Sequence, residues 1–314
     1  MAFTLTNSNY GGQVEEQIYL ITGVGNEVVS KGAAKLYTGI GGKFSLPVMS
    51  ATADPIDDFV SGSPTSDTVT TSYLERSMTV LPGTLYEEFL PASFLGTLWE
   101  KFESHGDLTN LELNTQILSA ILDLHADGIG AQISKLFWQG DILLAAHNPL
   151  NIHDGIITRA KLDANVIKPT PAGNITAEGF MTILAAVREA IPEKFEDDPD
   201  FVLHVNTTDY RVMNAGNLKL KEAFYGVFGM GLEDMYQMKK IKHFASMPRH
   251  HIIGAKTTND NKSNLRQAVW VDPKSESVRV DRVANNSNKW FIRMDVKMDA
   301  NYRIPTELVL YTPV

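Results

Sequence analysis

The feature that most constrains the fold is a long helical pattern near the middle of the chain. Apolar residues recur at spacings of three, four and seven from Leu113 to Phe137, which is the periodicity of one face of a helix. A continuous helix from Asn110 to Trp138 would be ~43 Å long at 1.5 Å per residue. The sequence therefore predicts one helix longer than the ~30 Å diameter of a small domain.

The same segment contains side chains arranged somewhat like metal ligands, in "LDLHADGIGAQISKLFWQGD" (122–141). As a calcium loop it fails, because His125 occupies a position that needs an oxygen ligand and Ser134 stands where a bidentate Glu is required. In a helix, Asp123 and Asp127 share a face, but His125 points roughly 200° away from Asp123. We expect a solvated helix face here, with no metal-binding residues.

Four glycine pairs raise the question of a nucleotide-binding loop. A dinucleotide fingerprint needs a third Gly three residues after the pair. Those positions are occupied by Val28, Phe44, Ile133 and Asp234. "GIGGKFS" (39–45) resembles a phosphate loop, yet Lys43 is followed by Phe44 rather than Ser or Thr. We expect a turn or strand kink there, and no cofactor-binding residues.

The residues also predict no catalytic site. The chain has 0 Cys, so a cysteine nucleophile and thiolate metal sites are excluded. Neither G-x-S-x-G nor H-E-x-x-H occurs. His243, His250 and His251 form the one histidine cluster, and two adjacent histidines on a strand would point to opposite faces. The protein is therefore not expected to be an enzyme.

Charge and hydropathy exclude further classes of function. The net charge of -9 over 314 residues is unlike the dense basic surface of proteins that grip nucleic acid. The densest basic group, "KKIKH" (239–243), has no aromatic residues interleaved with its cations, and "EKFEDDPD" (193–200) is expected to be a solvated connection after a helix. No apolar run approaches the ~20 residues of a membrane span, and the first residues do not resemble a signal peptide.

The first third of the chain predicts extended structure. Residues 1–35 are largely polar and glycine-rich, which favours an extended arm. Residues 36–85 predict an unusually long hairpin, because two stretches rich in β-branched and aromatic residues flank a turn-rich segment. Neither strand has enough apolar residues for its own core, so the hairpin should lie against something else.

The remainder mixes helices and strands. A helix is predicted at "TAEGFMTILAAVREAI" (176–191) with Thr176 as its cap, followed by a strand in "DFVLHV" and a short helix that stops at Gly216. "KWFIRMDVKMD" (289–299) alternates with the period of two of a half-buried strand, and "TELVLYT" (306–312) is expected to continue the same sheet. The fold class is α+β.

This order of elements resembles the major capsid proteins of tailed bacteriophages, which have the Hong Kong 97-type capsid fold. The resemblance covers nearly the whole chain and rests on the order of the elements and on the residue types within them. Its most similar segments are the long helix ending in "ISKLFWQGD", the pair "ITAEGFMTILAAVREAIPEKF" and "FVLHVNTTDYRVM", the methionine–proline step in "IKHFASMPRHHIIGA", and the final "WFIRMDVKMDANYRIPTELVLYT".

The resemblance implies a division of the chain by position. It places an N-terminal arm at 1–35, an extended β-hairpin loop over a neighbouring subunit at 36–90, a peripheral domain with its spine helix (110–138) at 91–170, an axial domain at 171–265, and C-terminal strands of the peripheral domain at 266–314.

The resemblance also implies a function. Copies of the chain would form hexamers and pentamers of an icosahedral shell around double-stranded DNA, assembled in the host cytoplasm and found in the virion. Partners would be the chain itself, a portal, a scaffolding protein and decoration proteins, with no membrane. Because the sequence begins directly with the arm, a scaffold is expected to be a separate protein or an already removed segment. Acidic subunits would repel packaged DNA and bind no particular DNA sequence.

Other functions are compatible with these residues. An encapsulin-like nanocompartment has the same fold but encloses enzymes, and its gene neighbours would distinguish it. A hydrolase would use His250 or His251 with a nearby Asp. A tail or sheath protein would form helical rather than closed assemblies.

Two interior glycines of the long helix, Gly128 and Gly130, each cost ~1 kcal/mol of helix stability relative to Ala. The favoured interpretation is close packing by a neighbouring element. The alternative is a bend point, because the resemblance implies a spine helix that changes curvature as the shell expands.

Overall fold

The computed structural model describes residues 26–51, 71–89, 115–170, 173–223, 239–258, 261–270, 278–283 and 286–313. The helices are α1 (Glu27–Ser30), α2 (Thr115–Gln139), α3 (Ile156–Leu162), α4 (Phe180–Glu189) and α5 (Thr207–Ala223). The strands are β1 (Lys35–Tyr37), β2 (Lys43–Ala51), β3 (Thr71–Thr79), β4 (Leu81–Phe89), β5 (Phe201–Asn206), β6 (Ile241–Phe244), β7 (Ile252–Lys256), β8 (Leu265–Trp270), β9 (Val278–Val283), β10 (Asn286–Tyr302) and β11 (Val309–Tyr311).

The long helix is confirmed as α2, whose 25 residues correspond to ~37 Å. Residues 110–114, where the helix was predicted to begin, lie outside the described residues. The helix ends one residue beyond Trp138, and Gly140 follows. A Cβ on Gly140 would lie 2.2 Å from the carbonyl oxygen of His153, so the close approach of the next segment requires glycine here.

A five-stranded sheet packs against α2. Its order is β1-β8-β10-β4, with β9 also paired to β10. The predicted period of two in β10 is confirmed, because alternate side chains are buried. They are Trp290, Ile292, Met294, Val296 and Met298. These side chains form one core with the apolar face of α2, which includes Ile129, Ile133 and Leu136.

A four-stranded sheet has the order β11-β7-β5-β6. The prediction that "TELVLYT" continues the sheet of β10 is therefore wrong, since β11 pairs antiparallel with β7. A 3-10 turn at Pro305–Glu307 separates the two strands. Val309 and Tyr311 lie in one core and Leu310 in another, so this strand is buried on both faces and its sequence does not indicate which sheet it joins.

The two helices beside this sheet begin and end differently from prediction. Thr176 does accept a hydrogen bond from the amide of Gly179 at 3.0 Å, although α4 itself starts at Phe180. Helix α5 does not stop at Gly216 but continues to Ala223. A Cβ on Gly216 would lie 2.3 Å from the carbonyl oxygen of Ala177, so this glycine permits close packing on the start of α4 rather than ending a helix.

The central part of the predicted hairpin (36–85) is confirmed as the antiparallel pair β2–β3, which runs from Lys43 opposite Thr79 to Ala51 opposite Thr71. Its two ends differ from prediction, because β1 pairs with β8 and β4 pairs with β10. Residues 52–70 lie outside the described residues. The end of the predicted arm differs from expectation, because residues 26–34 belong to the body. The buried Asn26 side chain donates to Gln267 of β8 at 2.8 Å and accepts from Ser134 of α2 at 2.8 Å.

Candidate assembly surface

The outer surface of the β2–β3 hairpin is apolar at its far end. Met49 and Tyr73 stand directly opposite each other across the two strands. Their exposed fractions are 71% and 59%, although both are large hydrophobic side chains that usually lie in a core. The next pair toward the base on the same face is Pro47 with Glu75, and the pair after that, closer still to the base, is Ser45 with Ser77. An exposed apolar pair on a projecting hairpin is suited to burial against another molecule.

The base of the hairpin is held by side chains of β10 and the residue after it. The amide of Thr79 donates to Oδ2 of Asp299 at 2.7 Å. Nδ2 of Asn301 donates to the carbonyl oxygen of Ser77 at 2.9 Å. The guanidinium of Arg303 donates twice to the carbonyl oxygen of Pro47, at 3.0 Å from Nε and 2.6 Å from Nη2. All the hairpin atoms in these contacts belong to the main chain.

A second attachment involves Arg76 of β3. Its guanidinium lies 4.5 Å from the centroid of the Tyr302 ring and donates to the carboxylate of Asp163, which follows α3. Tyr302 also donates to Asp163, at 2.9 Å. Burial alone would raise the pKa of Asp163, but hydrogen bonds from Asn165, Arg76 and Tyr302 outweigh it and lower the pKa. Asp163 is therefore ionised and attracts Arg76 at neutral pH.

Asp299 is the most buried charged group of this region, with a residue exposure of 1%. Burial raises the pKa of its carboxyl group, and the nearby Arg159 and His153 counteract that effect only in part. Nη2 of Arg159 donates to Oδ1 of Asp299 at 2.7 Å, and Nδ1 of His153 lies 3.7 Å from the same oxygen. The carboxylate is thus shared between the body of the protein and the hairpin amide of Thr79.

The histidine cluster does not assemble into a site. His250 and His251 lie before β7 rather than on a strand, and His250 has a φ of 61°; the expectation of two strand histidines on opposite faces was wrong. The amide of Ile175 donates to Nδ1 of His250 at 3.2 Å, and this nitrogen lies 3.5 Å from Asp209. Because Nδ1 acts as an acceptor, it does not donate to Asp209 as a hydrolytic Asp–His pair requires. His243 instead stacks on Tyr210.

The residues of α2 that resembled metal ligands have separate surroundings. Nε2 of His125 lies 2.6 Å from Oε2 of Glu87 on β4, with 16% of the His125 side chain exposed. The expectation of a solvated face is therefore wrong for His125 and right for the exposed Asp127, while the side chain of Asp123 is not described. Within the described part of the chain, no three His, Asp or Glu residues are placed to hold a metal ion.

The structure also shows the conformation and surroundings of the glycines singled out in the sequence. Gly39 has a φ of 76° in the bend between β1 and β2, which confirms the predicted turn. A Cβ at Gly128 would meet nothing within 4 Å, so close packing by a neighbouring element is not what this glycine serves among the described residues. Gly130 is buried, and its carbonyl oxygen accepts from Ser134 at 3.1 Å. The bend-point interpretation stays a prediction.

Comparison with known proteins assigns the fold. No protein-family model and no curated protein sequence matches the chain. Solved structures do match over nearly the full length. The capsid of Myoviridae phage XM1 aligns with a TM-score of 0.58 at 8% identity, covering 100% of this chain and 96% of that chain. The capsid of an empty GTA particle aligns with a TM-score of 0.57 at 12% identity, covering 99% and 98%.

A procapsid of satellite phage P4 that includes its size determination protein aligns with a TM-score of 0.56 at 10% identity, covering 94% of this chain and 98% of that chain. The chain therefore has the α+β Hong Kong 97-type capsid fold, as its sequence predicted. Identities this low establish the fold alone. Within the described residues, no helix is both long and apolar enough to cross a membrane.

Proposed function

We propose that this chain is the major capsid protein of a tailed bacteriophage, which assembles with copies of itself into hexamers and pentamers of an icosahedral shell. The observation that carries this proposal is the β2–β3 hairpin, whose described strands pair only with each other and which exposes Met49 and Tyr73. A projecting apolar surface of this kind buries itself on a neighbouring molecule. The shared fold supports a second copy of the chain as that neighbour.

The division of the chain by position belongs to the same proposal. Residues 1–35 would be the arm, 36–90 the loop over a neighbour, 91–170 and 266–314 the peripheral domain, and 171–265 the axial domain, except that residues 26–34 and strands β1 and β4 belong to the body. Because β11 pairs with β7, the last strand joins the sheet built from residues 201–256, and residues 309–311 would therefore belong to the axial domain rather than to the peripheral one. Scaffolding, portal and decoration proteins would be the further partners of such a shell, assembled in the host cytoplasm and kept in the virion.

The shell would enclose double-stranded DNA without binding a particular sequence. The net charge of -9 supports this, because an acidic subunit repels phosphates. Two cations on the five-stranded sheet are also paired: Arg293 with Asp295 at 3.0 Å and Lys289 with Glu88 at 3.3 Å. Paired cations release few counterions on meeting DNA. We expect weak retention of duplex DNA by purified shells at physiological salt; tight binding would contradict this part of the proposal.

Electron microscopy of the overexpressed protein tests the proposal. Negative-stain images should contain closed shells or ring-shaped capsomers, with crowding by polyethylene glycol used to promote closure. Helical tubes would favour a tail or sheath protein instead. A protein that stays monomeric at high concentration and under crowding would overturn the proposal.

A further inference from the structure

The hairpin is attached to the body in an unusual way. Among the described residues, neither β2 nor β3 pairs with a strand of the other two sheets, so no main-chain ladder fixes its direction. The apolar cluster at its base contains the buried Leu46, Met78, Val80 and Ala268, with Tyr37 and Phe44 packed against it. The five-stranded sheet contributes Ala268 and Tyr37 to this cluster. Apolar contacts of this kind constrain the angle of a nine-residue hairpin only weakly, because they are non-directional.

The directional contacts come from one face of β10. Side chains two residues apart on a strand point to the same side, and Asp299, Asn301 and Arg303 follow this spacing. Each of the three reaches a main-chain atom of the hairpin, on Thr79, Ser77 and Pro47 respectively. These three side chains, which we name the β10 joint, take the place of a pairing strand and contact both strands of the hairpin.

Contacts to main-chain atoms depend on where the hairpin backbone lies, and not on which side chains it carries. Arg303 holds β2 through the carbonyl oxygen of Pro47, while Asp299 and Asn301 hold β3 at two points. Hydrogen bonds to three residues on two strands determine an orientation, whereas a bond to any one of these residues would permit rotation. Asp299 is itself fixed by Arg159 and by the amide of Ala300, so the joint is anchored in the body.

We propose that the β10 joint sets the angle at which the β2–β3 hairpin leaves the body. This angle is a property of a single chain and does not depend on assembly. Its consequence for a shell rests on the proposed function: the joint would determine where Met49 and Tyr73 meet a neighbouring subunit. Arg76, bound to Asp163 and Tyr302, restrains the same base from the side of α3.

The absence of cysteine from the sequence makes a distance measurement direct. Spin labels would be attached at Tyr73→Cys on the hairpin and at Ala185→Cys on the exposed side of α4. Pulsed electron–electron double resonance would then report the distance between the two labels. Mixing the labelled chains with excess unlabelled protein keeps the signal within one chain, whatever its assembly state. The joint variant is Asn301→Ala with Arg303→Ala.

The matched control is Arg293→Ala with Lys297→Ala, two basic residues on the same face of β10 that contact Asp295 and the Trp270 ring rather than the hairpin. The joint variant should broaden the distance distribution or shift its maximum, and the control should leave both unchanged. Equal distributions in all three proteins, or equal broadening in the joint variant and the control, would overturn the proposal.

A second readout does not depend on labels. Asp299→Asn keeps the shape of the side chain but weakens its hold on Arg159 and on the amide of Thr79. Hydrogen exchange in peptides covering residues 71–80 should then accelerate by about tenfold, as expected for loss of roughly one hydrogen bond. Exchange in β5 should be unchanged. Unaltered hydrogen exchange at residues 71–80, or uniform acceleration across the chain, would contradict the proposal that the β10 joint holds the hairpin.

Discussion

Two antiparallel strand pairs in this molecule have equal length and different surroundings. The β2–β3 pair and the β4–β10 pair each align nine residues with nine. In the second pair, Ile292, Met294 and Val296 are buried beneath α2, whereas the first pair leaves Met49 and Tyr73 exposed. The β2–β3 pair also buries one face within the chain, through Leu46 and Met78. The difference is that Met49 and Tyr73, which face each other on its outer side, are uncovered among the described residues. The β4–β10 pair carries folding, and the β2–β3 pair is available for assembly.

The largest effect should come from the buried pair. Ile292→Ala removes a side chain with no exposure and leaves a cavity against α2, which should lower the free energy of unfolding by about 2–5 kcal/mol. Urea denaturation followed by circular dichroism measures this. Met49→Ala is the matched change in the hairpin and should alter stability by less than about 0.5 kcal/mol. Equal losses in the two variants would remove the distinction between the pairs.

Acid should weaken the body while sparing the contact between Arg76 and Asp163 at the base of the hairpin. Burial lowers the pKa of His204 in β5 to about 3, against ~6.5 in an unfolded chain. The unfolded state therefore binds more protons below pH 6.5, and stability should fall by ~2 kcal/mol between pH 7 and pH 5. Asp163, whose pKa is lowered, stays ionised over this range and keeps Arg76 attached.

Denaturant titrations at the two pH values check this expectation. His204→Asn retains a donor for the carbonyl oxygen of Ile253, which His204 Nδ1 contacts at 3.0 Å, and should flatten the pH dependence. His147→Asn is the control at an exposed position whose φ of 67° suits Asn. If the unfolding free energy of the His204 variant depended on pH as strongly as that of the wild type, the pH dependence could not be attributed to His204.

A smaller, local effect is expected at the hairpin base. Asp163→Asn removes the charge that holds Arg76, so the base should open more readily by about 1 kcal/mol. Hydrogen exchange in β3 would accelerate, while global unfolding would change little because Asp163 lies outside the main cores. A loss of global stability as large as that of Ile292→Ala would show that the hairpin attachment is part of the folding core.

The sequence predicted those elements whose burial pattern is local. The period of two in β10, the helical period of α2 and the turn-flanked β2–β3 pair all follow from neighbouring residues. The sheet joined by β11 does not, because Val309, Leu310 and Tyr311 are all buried and give no face preference. Nor does the role of Gly216, which depends on the carbonyl of Ala177 in the turn before α4.

The candidate assembly surface was predictable only in outline. A hairpin without enough apolar residues for a core indicates a partner, but the sequence does not show which apolar residues remain uncovered. Met49 and Tyr73 could be identified only once the register placed them opposite each other on the outward face. The joint was likewise beyond sequence reasoning, because Asn301 and Arg303 bind main-chain atoms more than 200 positions away.

The most direct test of the account compares the size of assembled particles. Met49→Ser with Tyr73→Ser removes the exposed apolar pair, and Leu162→Ser removes a side chain with 77% exposure that lies on α3 instead. Sedimentation velocity at equal protein concentration would be measured for both variants and the wild type. The account predicts shells for the wild type and Leu162→Ser, and folded unassembled subunits with an unchanged melting temperature for the double variant. Shells of normal size from the double variant would contradict it.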